Sequence, residues 1–299
     1  MESAPPRDLS EWTTSVLGSN PRFSPCGWPQ GPSRVWRLER EGAPCLYLKQ
    51  FGEERKRAQE VAALEGWVEA LRGVETALPQ LYAKSDPALS SILLTAVPGE
   101  IAANLPLDEH AGVAIHRRAG EFLARLHALP FRDEDPMPLA TALPLRLAFW
   151  LERQDGLLSS VEHELALRSV GDGAMFEGDT RVPCHRDYSL RNWLVEGEGR
   201  NGARRFGVID FEHARPDHPW VDFVRVEERA RPHYPAWFES FCEGYSHASE
   251  SPITACDAKL RAVSAIHAVG SIVWGHTHGD AAFERSGHAL LQRLRLESR

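Results

Sequence analysis

HRDYSLRN, residues 185–192, followed by VIDFEHA, residues 208–214, is the stretch on which the fold of this chain turns. A carboxylate, Asp187, stands shortly before a carboxamide, Asn192, and a second carboxylate, Asp210, arrives after two apolar runs. Trp193, Leu194 and Val195 have the pattern of a short strand, and Phe206, Gly207, Val208 and Ile209 that of its returning partner. The polar, glycine-containing residues 196–204 between them predict an exposed turn. Pairing these strands carries Asp210 back beside Asn192. A carboxylate and an amide oxygen then face the same point, which suits magnesium, a cation that demands oxygen ligands. Asp187 is left to meet an attacking hydroxyl. Side chains capping their own turns are the alternative for each residue taken alone. The three together, with the hairpin between them, have the spacing used in phosphoryl transfer.

Upstream, Val35, Trp36, Arg37 and Leu38 predict a strand, and CLYLKQF, residues 45–51, predicts its hairpin partner. Leu46 and Leu48 share one face of the second strand, so Lys49 points off the other among apolar neighbours. A helix predicted over residues 53–71 carries Glu60 near its apolar stripe of Ala63, Leu64 and Trp67. A lysine that meets phosphates needs a carboxylate to hold it, and Glu60 is well spaced for that; Glu54 and Glu65 are its rivals. The proline- and glycine-dense residues 20–33 predict no regular structure. Gly31 and Ser33, nearest the strand, could lay backbone N–H groups against phosphate, although an ordinary proline-rich loop explains the segment equally well.

Two further strands, in LPQLYAKS and SSILLTAVPGE, complete a small antiparallel sheet. The second ends in Val97-Pro98-Gly99, where proline removes a donor and glycine permits a turn. A boundary is expected there, giving an N-terminal nucleotide-binding lobe, residues 1–98, and a catalytic and acceptor-binding lobe, residues 99–299. The backbone from Thr95 to Val97 becomes a candidate hinge for an adenine edge, although a simple strand-to-helix connection explains it equally well. From Leu107 onward the pattern is helical: GEFLARLHALP, then a proline-rich connection over 131–145, one or two helices to about Arg168, and three helical stretches after the central motif. Asp222 is read as a buried acid bracing the loop that holds Asp187, with a merely exposed acid as the equal alternative. His276 and His278 diverge on a helix and carry no metal motif.

On these residues the chain resembles the aminoglycoside phosphotransferases and related small-molecule kinases, which share the protein-kinase-like fold, and the resemblance covers nearly the whole chain. It implies an α+β, bilobal architecture with a small antiparallel-sheet lobe and a larger, mostly helical one. It also implies that Asp187 positions the acceptor hydroxyl and takes its proton, that Asn192 and Asp210 hold Mg2+, and that Lys49, oriented by Glu60, meets the phosphates of ATP or another nucleoside triphosphate, with Ser33 also on phosphate. Two departures stand out: Arg186 replaces the family's usual small residue, and Glu212 stands where protein kinases place glycine.

The totals narrow the partners. A formal charge of −8 argues against a nucleic-acid partner. No apolar run is long enough to span a bilayer, and the N-terminus lacks the pattern of a signal peptide, so a cytoplasmic protein is expected. The five cysteines are scattered, which predicts free thiols. The expected partner is a small-molecule hydroxyl acceptor, for a protein that is a monomer or homodimer. Because nearly all the net charge falls on residues 99–299, a cationic antibiotic is the first acceptor expected, an aminoglycoside before a nucleoside or peptide antibiotic. A metabolic alcohol such as choline or an amino sugar, or a non-catalytic nucleotide-binding module, is the alternative.

Overall fold

Period-two alternation in residues 34–50 builds the first sheet. The computed structural model describes residues 4–27, 33–73, 77–196, 205–249 and 257–297. Their elements begin with α1 (Arg7–Leu17), β1 (Arg22–Pro25), β2 (Arg34–Glu39), β3 (Leu46–Gln50), α2 (Glu54–Ala63), β4 (Leu81–Lys84), β5 (Ser91–Thr95) and β6 (Glu100–Ile101). Then follow α3 (Glu109–His127), α4 (Leu139–Leu151), α5 (Ser160–Val170), β7 (Val182–Cys184), β8 (Trp193–Val195), β9 (Phe206–Val208) and β10 (Arg215–Asp217). The chain ends in α6 (Trp220–Ala230), α7 (Pro235–Ala248), α8 (Asp257–His278) and α9 (Ala281–Leu296). Two compact units divide these elements, Met1–Leu107 with Ser189–Arg215, and Asp108–Tyr188 with Pro216–Arg299.

In the first unit an antiparallel sheet has the order β1-β2-β3-β5-β4. One face buries Trp36, Leu38, Leu46, Leu48 and Leu93, and α1 covers it with Leu9, Trp12 and Leu17. Burying one such side chain stabilises by about 1.5–3 kcal/mol. On strand β3 Lys49 faces the other way, pairing across to Val35 and Ile92. The stretch predicted to be irregular contains one strand, β1, in register with β2 from Arg22–Glu39 to Pro25–Trp36. Its place at the sheet edge is what tolerates Pro25, since an outward-facing position needs no N–H. The helix expected over 53–71 changes its winding at Leu64–Val68 to a π turn.

A three-stranded sheet, β6-β8-β9, completes this unit. Trp193 pairs with Val208 and Val195 with Phe206, as the hairpin reading requires. The ladder extends to Ile209, whose N–H donates to the Asn192 carbonyl at 3.0 Å. Gly31 and the tip of this hairpin, residues 197–204, lie outside the described residues.

The second unit is mostly helical. Helices α3 and α7 approach closely enough that a Cβ on Gly120 would lie 2.0 Å from the Phe241 carbonyl oxygen, and one on Gly244 would lie 2.0 Å from that of Arg117. Glycine is therefore required at both crossings. The connection predicted over 131–145 is in fact half helix, because α4 starts at Leu139 and contains Pro144. Proline cannot donate to the Ala140 carbonyl one turn back. Gly173, at φ +89°, packs against that carbonyl, where a Cβ would fall 2.0 Å from the oxygen. Helix α5 opens with a capping box between Ser159 and Glu162. The last helical stretch is two helices, and Asp280 caps the second by accepting from the N–H groups of Ala282 and Phe283.

Candidate active site

Strand β3, helix α2 and the segment after β9 bring one lysine together with three acids. The Lys49 ammonium donates to Glu60 at 2.7 Å and to Asp210 at 2.5 Å, and it pairs with Glu212 at 3.1 Å. Lys49 and Glu60 are buried, and Lys49 also lies 5.0 Å from the centroid of the Phe51 ring. The rivals to Glu60 are engaged elsewhere, Glu54 with Arg57 and Glu65 with Lys84. Burial works against the charge on Lys49, but Asp210, Glu60 and Glu212 outweigh it and raise its pKa. Burial pushes the Glu60 carboxyl up to about 7 against the pull of Lys49. Its second oxygen accepts from the Phe211 N–H at 3.3 Å, which ties the helix to the backbone after Asp210.

Asp210 itself adopts φ +68°, a left-handed backbone that costs a non-glycine residue on the order of 1 kcal/mol or more. Strain of this kind persists only where the surroundings fix the residue, here by the lysine and the neighbouring strand. Ser33 donates from its hydroxyl to Glu212 at 2.7 Å, and Lys56 pairs with the other oxygen of Glu212 at 2.9 Å. Burial would raise the Glu212 carboxyl, yet His213, Lys49 and Lys56 hold it well below the usual carboxylate range. So Ser33, Lys49, Glu60, Asn192 and Asp210 belong to one compact unit, and Lys49, Glu60 and Asp210 are in direct contact. Lys56, one helical turn before Glu60, was missed by sequence reasoning. The charged Glu212 in place of glycine was the signal that could have found it.

Donor chemistry decides whether this group suits magnesium. Asp210, Glu60 and Glu212 offer carboxylate oxygens within 4.8 Å of one another, and Asp210 is about one-third exposed. With the amide oxygen of Asn192, the residue before β8, the set is oxygen-donating and acid-rich, which fits a hard divalent cation. Thr95 closes β5 by exchanging bonds with Gln80. Val97 packs where Gly207 lacks a Cβ, which would otherwise lie 2.6 Å from it.

In the second unit, Asp187 accepts an ion pair from Arg225 of α6 at 2.9 Å. The loop that carries it is braced from below. Asp222, fully buried, accepts from the backbone N–H groups of His185 at 2.9 Å and Arg186 at 2.5 Å, and its carboxylate also meets His127 at 3.2 Å. Asp222 is thus the buried brace that the sequence suggested. Arg186, at φ +65°, reaches Asp217 at 2.9 Å, and Arg146 reaches the same carboxylate at 3.0 Å. Burial opposes ionisation of Asp217, but Arg186 and Arg146 outweigh it and bring its pKa to about 2. The departure at 186 therefore ties the loop down. Neither Arg225 nor Arg146 was legible, since an arginine on an amphipathic helix reads as solvated. His276 is exposed, and His278 stacks on Trp274 at 4.2 Å.

The architecture has relatives among solved structures. The GDP and kanamycin complex of APH(2'')-IIia is 18% identical and superposes with a TM-score of 0.72, covering 97% of this chain and 99% of that one. The apoenzyme of macrolide 2'-phosphotransferase MphH from Brachybacterium faecium is 18% identical with a TM-score of 0.65, covering 96% and 98%. These likenesses define an α+β chain of the protein-kinase-like fold. Residues 24–260 match the model of the phosphotransferase enzyme family, and the chain belongs to that family. It is a phosphotransferase with an alcohol group as acceptor. A curated relative, the N-acetylmuramate/N-acetylglucosamine kinase of Caulobacter vibrioides, is 44% identical over 57 residues, which span 18% of this chain and 15% of that protein. Among the described residues no helix is long and apolar enough to cross a membrane. Cys26, Cys45, Cys184 and Cys242 are free thiols.

Proposed function

We propose that this protein is an ATP-dependent O-phosphotransferase that phosphorylates a hydroxyl of a sugar-like small molecule. The observation that carries the reading is the buried Lys49, held between Glu60 and Asp210 at 2.7 and 2.5 Å with Asp210 in a strained backbone. Lys49 orients the nucleotide phosphates, and Glu60 keeps it aimed. Ser33 contacts phosphate, and the backbone from Thr95 to Val97 receives the adenine edge; Gly31, outside the described residues, belongs to the same phosphate-facing approach. Asn192 and Asp210 hold magnesium. When bound, that ion neutralises charge on the transferring phosphoryl group. Asp187 orients the acceptor hydroxyl and takes its proton as the bond to phosphorus forms. Residues 1–98 are proposed as the nucleotide-binding lobe and 99–299 as the catalytic and acceptor-binding lobe.

Two acceptor classes fit a hydroxylated ring. An antibiotic of the aminoglycoside type, whose modification would give resistance, is the one favoured by net charge. An amino sugar of metabolism is the second, favoured by the arginine placed against Asp187. A phosphotransfer screen decides: purified protein with magnesium and ATP or GTP, set against antibiotics, amino sugars and small alcohols, read by mass spectrometry for one added phosphoryl group. The expected result is a product from one ring class that disappears in Asp187→Ala. Nucleotide binding without any product would remove the catalytic reading in favour of a non-catalytic module.

A further inference from the structure

Beside Asp187 the second unit carries features that the reaction described so far does not use. The Arg225 guanidinium reaches the Asp187 carboxylate at 2.9 Å, and the side chain is only 19% exposed. Its guanidinium carbon lies 5.3 Å from the centroid of the Phe283 ring, so an aromatic ring and a carboxylate both hold it. Phe283 is pinned in turn, because Asp280 accepts from its backbone N–H at 3.0 Å in the first turn of α9. Trp274 meets Phe283 edge to face at 5.2 Å and keeps part of its surface exposed.

The acids in this neighbourhood already have protein partners. On α6, Asp222 is engaged by the loop amides and His127, Glu227 by Arg231 and Arg293, and Glu228 by His267 at 3.6 Å. On α9, Glu284 pairs with His276 at 3.6 Å. A polycationic ligand needs carboxylates that the protein has not already engaged, and Arg225 engages Asp187. A neutral or carboxylated ring makes no such demand.

We propose that Arg225 is the acceptor-side positioning residue of this kinase, holding the Asp187 carboxylate in place and selecting a neutral or anionic sugar-like ring over a polycation. The assignment rests on the kinase reading above and narrows its acceptor. Arg225 touches Asp187 and acts through it, which separates its role from that of the proton acceptor.

The test compares the full-length wild type with Arg225→Met, which keeps the stem and removes the charge, and with Arg225→Lys. Each receives magnesium and ATP with N-acetylated hexosamines, hexuronic acids and kanamycin, and kcat and KM are measured separately. The wild type is expected to favour a neutral or anionic ring over kanamycin by about tenfold or more in kcat/KM. Arg225→Met should lower kcat on that ring by about 100-fold while KM moves less than about threefold, since a misplaced carboxylate fails in chemistry rather than in binding. The preference over kanamycin should narrow in the same variant, and Arg225→Lys should recover part of the rate. The assignment is overturned if kanamycin is the better acceptor of the wild type, or if Arg225→Met leaves kcat unchanged. It is also overturned if ATP is turned over in an Asp210-dependent way and neither neutral nor anionic ring is taken, an outcome that leaves the kinase reading standing. Absence of any nucleotide turnover overturns both.

Discussion

Two buried ion-pair clusters, one in each compact unit, carry opposite surpluses of charge. Around Lys49 and Lys56 stand three acids, Glu60, Asp210 and Glu212. Around Asp217 stand two arginines, Arg146 and Arg186. The first cluster keeps one acid more than its lysines neutralise, and it strains the backbone at Asp210 to do so. Such a cluster can accept a further cation and hand its lysine to a phosphate. The second has no acid to spare and holds a loop. Proximity of charges alone therefore does not mark a functional site. The sign of the imbalance is what separates the two clusters.

Substitutions can break this comparison at either end. Asp187→Ala should lower phosphotransfer by about a thousandfold or more while the protein folds as before, measured as kcat on the acceptor that the screen identifies. Turnover within about tenfold of the wild type would remove Asp187 from the reaction. Asp222→Ala leaves two loop amides and a buried histidine without their acceptor. A loss of about 3–5 kcal/mol in urea unfolding is expected, with Asp222→Asn less severe. A loss under 1 kcal/mol would show that the loop does not need its brace.

A substitution away from both clusters gives a calibration. Gly120→Ala forces a methyl group to within 2.0 Å of the Phe241 carbonyl oxygen, so the helices must part at a cost of about 1–3 kcal/mol in thermal or urea unfolding.

The smallest effect sharpens the reading of the second cluster. Asp217, with a pKa of about 2, lies below the roughly 3.9 of an unfolded aspartate. A depressed carboxyl stabilises fully above the unfolded value and loses that contribution as pH falls through the folded one. Between about pH 4 and pH 2 the wild type should therefore lose roughly 2 kcal/mol that Asp217→Asn, lower throughout, no longer has to lose. Parallel stability curves for the two proteins across that window would contradict the pairing.

Much of this was readable in the chain because local rules and chemistry agreed. Alternation around Leu46 and Leu48 placed Lys49 on the opposite face of its strand, and apolar runs on either side of a polar turn predicted the hairpin that sets Asn192 beside Ile209. What was hidden depended on partners distant in sequence. Strand β1 exists because β2 offers it an edge, despite its proline. Pro144 sits inside a helix where Gly173 packs against the Ala140 carbonyl. Net charge pointed to a cationic acceptor, whereas Arg225 beside Asp187 is an arrangement that no count of charges reveals. Arg146 was equally invisible, one more basic residue on a helix until Asp217 was seen to meet it, whereas the charged Glu212 was a signal for Lys56.

The central claim is a division of labour, with Asp210 serving the metal nucleotide and Asp187 serving the acceptor. Calorimetric titration of magnesium-ATP into the wild type, Asp187→Ala and Asp210→Ala tests it most directly. Asp187→Ala should bind within about twofold of the wild type, and Asp210→Ala should bind at least about tenfold more weakly. Equal binding by all three proteins, or weaker binding by Asp187→Ala alone, would contradict it.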